Sequence, residues 1–318
     1  MARIQQQFEV GEQTANRRFD QAAAELFSQY SRALLQRWIK EGALTVNGAA
    51  ARPRDKVAAG DVLSIDVLVE ADDKLIAQDV PFDVEFEDHD ILVVNKPPGV
   101  VVHPGAGNKT LTLINGLVGH DRTLAKLPRA GLIHRIDKNT SGLLLVAKTL
   151  DVHRQLVSEM AARNIKRRYS AITNGVPVSG ATINQPIGRD TRNRKKQRVT
   201  ESGRPAITRF RIEKKFRAHA LLQIELETGR THQIRVHLAH YGYPLVGDKQ
   251  YGAKLHLPRS PLSALRDGLE SFSRQALHAR ELAFTHPTSA APMCFETRLP
   301  DDMAELLSLL DEDAEINA

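Results

Sequence analysis

The chain has 318 residues, with 44 Lys or Arg against 38 Asp or Glu and a formal net charge of +6. That length suggests about two domains, and an apolar content of 42% is ample for a core. A lone cysteine, Cys294, excludes an internal disulfide and a cysteine-based zinc cluster, while the absence of a long apolar run or an apolar leader points to the cytoplasm and away from membranes.

Residues 1–16 are polar and are expected to be frayed or to form a short strand. Phe19, Ala22, Ala23, Leu26 and Phe27 then recur at helical spacing. Ser31 is placed to cap a second helix carrying Leu34, Leu35, Trp38 and Ile39, with Gly42 as its stop. Leu44–Val46, the turn Asn47-Gly48 and Val62–Val67 read as strands. Residues 1–70 balance nine basic against nine acidic side chains, so composition alone does not mark this region as RNA-binding. The two-helices-then-strands order, with Arg32, Arg37 and Lys40 along the second helix, resembles the S-four type of RNA-binding domain. That likeness implies phosphate contacts from those three cations.

An abrupt acidic and polar shift at 70–81 reads as a linker, giving domains at 17–76 and 77–318. Beyond it, strands are expected at Ile91–Asn95, Leu143–Ala147, Arg167–Thr173, Thr208–Ile212 and Leu221–Glu227. Helices are expected at Asp151–Asn164, Thr231–Tyr241 and Asp301–Leu310. Strands outnumber helices in an irregular order, which favours an α+β fold around a mixed, largely antiparallel sheet. Between Arg163 and Arg217 lie 16 Lys or Arg and three acids, an excess of +13 that attracts a polyanion.

Two runs carry the chemistry. In Arg129–Gly142, one carboxylate, Asp137, sits between Arg135 and Lys138, ahead of Thr140-Ser141-Gly142 and an apolar strand. In Leu226–His237, a strand ends, Gly229 permits a turn and Thr231 is placed to cap a helix. Arg235 then falls in an early helical turn, where a guanidinium can grip a carboxylate.

The first run resembles the His-Arg-Leu-Asp-x-x-Thr-Ser-Gly signature of the A family of ribosomal pseudouridine synthases, enzymes of large-subunit RNA, with Ile136 for Leu. Lys166–Tyr169 matches that family's Arg-x-Tyr element. Asn95–Gly99, His103–Gly105, Pro244–Asp248 and Leu277–Ala279 fall where its pattern expects scaffold and pocket walls. The likeness runs in unbroken order from about residue 17 to about residue 300, and looks strongest toward the D subgroup. It implies that Asp137 is the catalytic carboxylate, that Arg235 pairs with it, and that Tyr169 stacks on the target base. It also implies that Arg135 fills the gap left by a flipped base, with Arg167, Arg168 and Arg230 as further RNA contacts. The substrate implied is large-subunit ribosomal RNA or its precursor, at the helix sixty-nine stem-loop, and the expected enzyme is a monomer.

No cofactor is expected. His232, His237 and His240 lack the spacing of a zinc site, Gly105–Thr110 lacks Walker spacing, and no dinucleotide fingerprint is present. Two other classes compete with an isomerase. A non-catalytic, RNA-binding ribosome-assembly factor would explain the charge but has no use for a carboxylate in a basic motif. A glycosylase would use such an Asp but release free base.

Overall fold

The computed structural model describes residues 2–27, 30, 32–69, 75–105, 107–252 and 255–317. The chain forms two compact units, Met1–Ile76 with Ala125–Ala130, and Ala77–Leu124 with Gly131–Ala318. Among the described residues no helix is long and apolar enough to cross a membrane.

The N-terminal unit holds strand β1 (Ala2–Glu9), helices α1 (Phe19–Leu26) and α2 (Arg32–Glu41), and strands β2 (Leu44–Val46) and β3 (Val62–Val69). The polar N-terminus is a full strand, because eight of its residues pair antiparallel with β3 in the sheet order β1-β3-β2. Helical spacing puts Phe19, Ala22 and Ala23 of α1 and Leu35, Trp38 and Ile39 of α2 on inner stripes, where they meet Leu63 and Ile65 of β3. Asn47 and Gly48 both take positive φ, 50° and 77°, as a tight turn leaving β2 requires. Ser31 and residues 70–74 of the expected linker lie outside the described residues; 75–82 run without regular structure into the second unit.

That second unit is built on one nine-stranded sheet: β4 (Asp83–Glu87), β5 (Ile91–Lys96), β6 (Ser141–Ala147), β7 (Lys166–Asn174), β8 (Ala181–Asn184), β11 (Ile207–Lys215), β12 (His219–Leu226), β13 (Leu277–Thr285) and β14 (Pro292–Glu296). The order is β4-β5-β6-β13-β7-β12-β11-β8, with β14 on β13. Every pairing is antiparallel except β6 with β13, which are parallel through Ser141↔His278 and Gly142↔Ala279. A separate hairpin joins β9 (Ile187–Arg189) to β10 (Gln197–Val199). The helices are α3 (Leu113–His120), α4 (Leu150–Ala161), α5 (Gln233–His240), α6 (Ser263–Ser271) and α7 (Asp301–Ile316). The expected strands are all present. The sequence pattern misses α3 and α6 and ends α7 six residues early. One core packs α4 against β5, β6 and β13, and another packs α6 and α7 around Ile172 and Leu221.

Candidate active site

Asp137 sits on the irregular segment between Leu132 and Thr140, which is tied down on both sides of it. Ile133 donates its N–H to Leu145 O at 3.0 Å, which lays the approach alongside β6. After Asp137, the Lys138 carbonyl accepts from the Lys96 ammonium at 3.0 Å and from Gly99 N–H at 2.9 Å. The Asn139 carbonyl accepts from Arg274 at 3.2 Å, and the Thr140 hydroxyl accepts from Gln275 at 3.1 Å. Ser141 Oγ bonds His278 Nδ1 at 2.9 Å. Gly142 has φ 115°, and a Cβ there would lie 2.3 Å from the Ala279 carbonyl oxygen. Thr140, Ser141 and Gly142 are therefore three successive attachments to the start of β13, rather than a solvent turn.

Opposite this loop, Arg235 lies in the first turn of α5 and is 6% exposed. Its Nη1 donates to Asp137 Oδ2 at 3.0 Å. Nε and Nη2 donate to the two oxygens of Asp248 at 2.7 and 2.9 Å, and Nη2 also reaches Gln250 Oε1 at 3.1 Å. Asp248 is buried. Burial pushes its carboxyl up, but the Arg235 bonds and charge, with the Gln250 and Tyr251 N–H groups, hold it below the usual carboxylate range. Burial likewise works against the Arg235 charge, and the two carboxylates raise its pKa above its ordinary value.

The helix start is organised by Gln233 rather than by the expected Thr231. Gln233 Oε1 accepts from Arg230 N–H at 3.0 Å and from the Thr228 hydroxyl at 2.8 Å. His232 takes the left-handed conformation at the N-cap, φ 58°, and Gly229 has no positive φ. These corrections leave Arg235 where the pattern placed it.

Asp137, Arg235 and Tyr169 line one open cleft, together with Arg135, Arg167, Arg230 and His232. Tyr169 is buried, and burial raises its phenol above its ordinary value. Arg135 is exposed, and the Arg230 Nε donates to Pro205 O at 3.2 Å. Arg168 is not in this cleft. Side chains alternate along β7, so Arg167 and Tyr169 face one way and Arg168 the other, where it pairs with Glu281 at 2.8 Å. In the N-terminal unit, Arg32 pairs with the fully buried Asp20 at 2.9 Å, Arg37 lies 3.8 Å from Glu41, and Lys40 is exposed. Arg32 is thus part of a structural cluster with Arg18 and Gln36.

Two of the three histidines that invite a metal have other partners. His237 bonds Thr208 Oγ1 at 2.8 Å and Gln185 O at 2.9 Å, and His232 bonds the Tyr251 hydroxyl at 2.7 Å. Four contributors were not singled out from the sequence: Asp248, Gln250, Lys96 and Arg274. Asp248 lies within a motif read as a wall, and its Gly-Asp step is the signal that marks it.

Known proteins resemble the chain over nearly its whole length. Residues 90–240 match the family described as RNA pseudouridylate synthase, and residues 17–63 match the S4 domain. Over 312 residues the chain is 47% identical to ribosomal large subunit pseudouridine synthase D of Pseudomonas aeruginosa, covering 98% of each. It is 45% identical to the protein of that name from Xylella fastidiosa over 314 residues, covering 99% of this chain and 95% of that one. Among solved structures, human RNA pseudouridylate synthase domain containing 4 aligns with a TM-score of 0.57 at 26% identity, over 72% of this chain and 92% of that one.

Proposed function

Because this chain belongs to the RNA pseudouridylate synthase family and is an RNA pseudouridine synthase with an S4 domain, we propose that it isomerises uridines of large-subunit ribosomal RNA in the cytoplasm, as a monomer, with Asp137 as the reacting carboxylate. The observation that carries this reading is the Asp137–Arg235 contact of 3.0 Å, facing a cleft walled by Tyr169 and cations.

The reaction breaks the N1–C1′ bond, turns the uracil, joins C5 to C1′, and moves the C5 proton to solvent while N1 gains one. It is redox-neutral and consumes no co-substrate. It needs a carboxylate beside C1′ and C6, a wall that keeps the detached ring, and exclusion of water. Asp137 supplies the first, held in place by Arg235. Tyr169 supplies a flat surface for the ring, with Arg167 beside it. Attack at C1′, addition at C6 and proton removal are all open to a carboxylate so placed. A base inside a helix cannot reach a recessed Asp, so the uridine must leave its stack, and exposed Arg135 beside Asp137 is suited to the vacated space.

The relatives named as large-subunit synthase D support ribosomal RNA as substrate, and the D-subgroup resemblance supports the helix sixty-nine stem-loop within it. Asp137→Asn tests the core of the reading. Tritium release from RNA carrying 5-tritiated uridine should stop, while filter-binding affinity stays within about twofold, since phosphate contacts dominate binding. Turnover by the Asn variant near the parent rate would remove Asp137 from the chemistry. Pseudouridine maps of ribosomal RNA from cells with and without the protein would identify the sites.

A further inference from the structure

The densest cluster of positive charge is the β9–β10 hairpin, with Arg189, Arg192, Arg194, Lys195, Lys196 and Arg198. Its turn is ordered by its own side chains. Asp190 Oδ1 accepts from the N–H groups of Arg192 and Asn193 at 2.7 and 2.8 Å, and Asn193 Oδ1 accepts from Lys195 N–H at 3.1 Å. The cations therefore sit on a defined frame.

Two consecutive side chains bind that frame to the residues around Asp137. Gln250 donates Nε2–H to the Lys195 carbonyl at 2.9 Å and accepts from Arg235 Nη2 at 3.1 Å. Tyr251 accepts the Gln197 N–H at 2.8 Å through its hydroxyl, which lies 2.7 Å from His232 Nδ1. The Arg235 guanidinium carbon sits 4.9 Å from the centre of the Tyr251 ring. Both backbone N–H groups of the pair also bond Asp248 Oδ1, at 3.0 and 3.2 Å. Each side chain thus has one hand on the hairpin backbone and one on a residue of the cleft.

The Tyr251 bonds also favour one tautomer. Gln197 N–H can only donate, so the phenol oxygen accepts there. Among the described residues, the acceptor left for the phenol proton is His232 Nδ1. His232 then carries its proton on Nε2, in a ring that lines the cleft. Its left-handed backbone, φ 58°, is unusual for a non-glycine residue and is held by these contacts.

We infer that Gln250 and Tyr251 are positioning residues that couple the seating of the basic hairpin to the orientation of Arg235 and the tautomer of His232. RNA gripped by the hairpin would, through this pair, stiffen the arginine that holds Asp137. The inference rests on the reading of Asp137 and Arg235 as the reacting site, and it adds a link between the phosphate-binding arm and the chemistry.

The test uses the full-length protein with Gln250→Glu, Gln250→Ala and Tyr251→Phe. Glu retains an oxygen for Arg235 but removes the donor to Lys195 and adds a charge beside Arg235, while Ala removes both bonds without adding one. Phe retains the ring beneath Arg235 and removes one oxygen atom, a change the fold should tolerate. Without RNA, tryptic cleavage at Arg192–Arg198 should be several-fold faster in all three variants than in the parent. At saturating RNA, the single-turnover rate of tritium release should fall about 3- to 30-fold, with a smaller change in Kd. Nitrogen-15 spectra should show His232 Nδ1 unprotonated in the parent and a tautomer mixture in Tyr251→Phe. Cleavage rates equal to the parent's would overturn the inference, as would unchanged saturating rates. A parent protein that forms no pseudouridine on ribosomal RNA would overturn the functional reading and the coupling to catalysis, whereas the cleavage rates and spectra would judge the clamp by themselves.

Discussion

Asp248 occupies two of the three guanidinium nitrogens of Arg235, so that only Nη1 is left to meet Asp137. The buried carboxylate fixes the plane of the guanidinium, and the plane fixes where the half-buried carboxylate must sit. A planar fork can satisfy both oxygens of Asp248 and still present a third nitrogen, which a lysine cannot.

Two substitutions examine this arrangement. Arg235→Lys should lower the rate about 100-fold through misplacement of Asp137, with RNA affinity nearly unchanged. Asp248→Asn should cost about 3 kcal/mol of stability in urea unfolding, because Arg235 stays buried with weaker compensation. Parent-like values in either variant would separate Arg235 from the reaction or Asp248 from the fold.

Tyr169 is assigned a face rather than a hydroxyl. Tyr169→Phe should therefore react at close to the parent rate. Tyr169→Leu should weaken RNA binding or slow the reaction by about tenfold or more, the worth of one base stacked on an aromatic ring. A Phe variant as impaired as the Leu variant would transfer the role to the phenol oxygen.

Lys96 yields a pH signature. Burial pushes its ammonium down to about 7, an effect that the Asp137 charge partly opposes. As a neutral amine it has two N–H groups, and it meets two carbonyls, Pro97 O at 2.6 Å and Lys138 O at 3.0 Å. From about pH 7 up to the ordinary 10.5, the unfolded chain holds a proton that the folded chain lacks. Stability should then rise with pH across that window, by up to about 1.4 kcal/mol per pH unit. Lys96→Met should lose that slope and, with Lys138 O keeping only its Gly99 bond, turn over more slowly. Equal slopes in calorimetry would refute the assignment.

Buried neutral histidines should make the fold sensitive to acid. Burial pushes His134 to about 3, with Arg167 adding to the effect, and pushes His219 and His278 to about 4. As pH falls from 6.5, the unfolded chain takes up protons that the folded one refuses, so stability is lost toward pH 4. The slope should approach about 4 kcal/mol per pH unit if all three contribute. His278→Asn, which keeps an acceptor for Ser141, should reduce the slope by about one proton, and proton uptake on unfolding measures it.

Removing residues 1–76 should leave a chain that still isomerises uridine but binds large-subunit RNA about tenfold or more weakly, through loss of a second point of attachment. Equal affinity of the full and shortened chains for ribosomal particles would deny the S4 domain a targeting role.

The residues proposed for the reaction stand out because they lie in short runs of unusual chemistry, such as Arg135 to Lys138 and Arg230 to Arg235. The strands were legible as apolar runs, buried on both faces in the case of β6. What escaped has physical reasons. Helix α3 is buried nearly all round, so it has no amphipathic stripe, and its Gly116 and Gly119 look like breakers. They are small because a Cβ would strike Val80 at 2.9 Å and Gln78 O at 2.6 Å. The last turns of α7 look like a solvated acidic tail, yet Asp313 is buried against Arg217 and Leu262 N–H. Arg168 groups with its neighbours by proximity in sequence, but the two-residue period of a strand sends it to the opposite face. Asp248 binds Arg235 from an irregular segment, where no periodicity announces a partner.

The attachment of Thr140 to Gln275, across 135 positions, has a consequence for synthesis. The Asp137 motif leaves the ribosome long before the strand that anchors it exists. Until residues 274–279 emerge and pair beside β6, the loop lacks its Arg274, Gln275 and His278 contacts. A nascent or C-terminally truncated chain therefore displays the whole Asp137 motif without the contacts that hold it in place. The loop's final geometry waits on contacts of very long sequence separation, the kind whose chain-closure entropy must be met before they form.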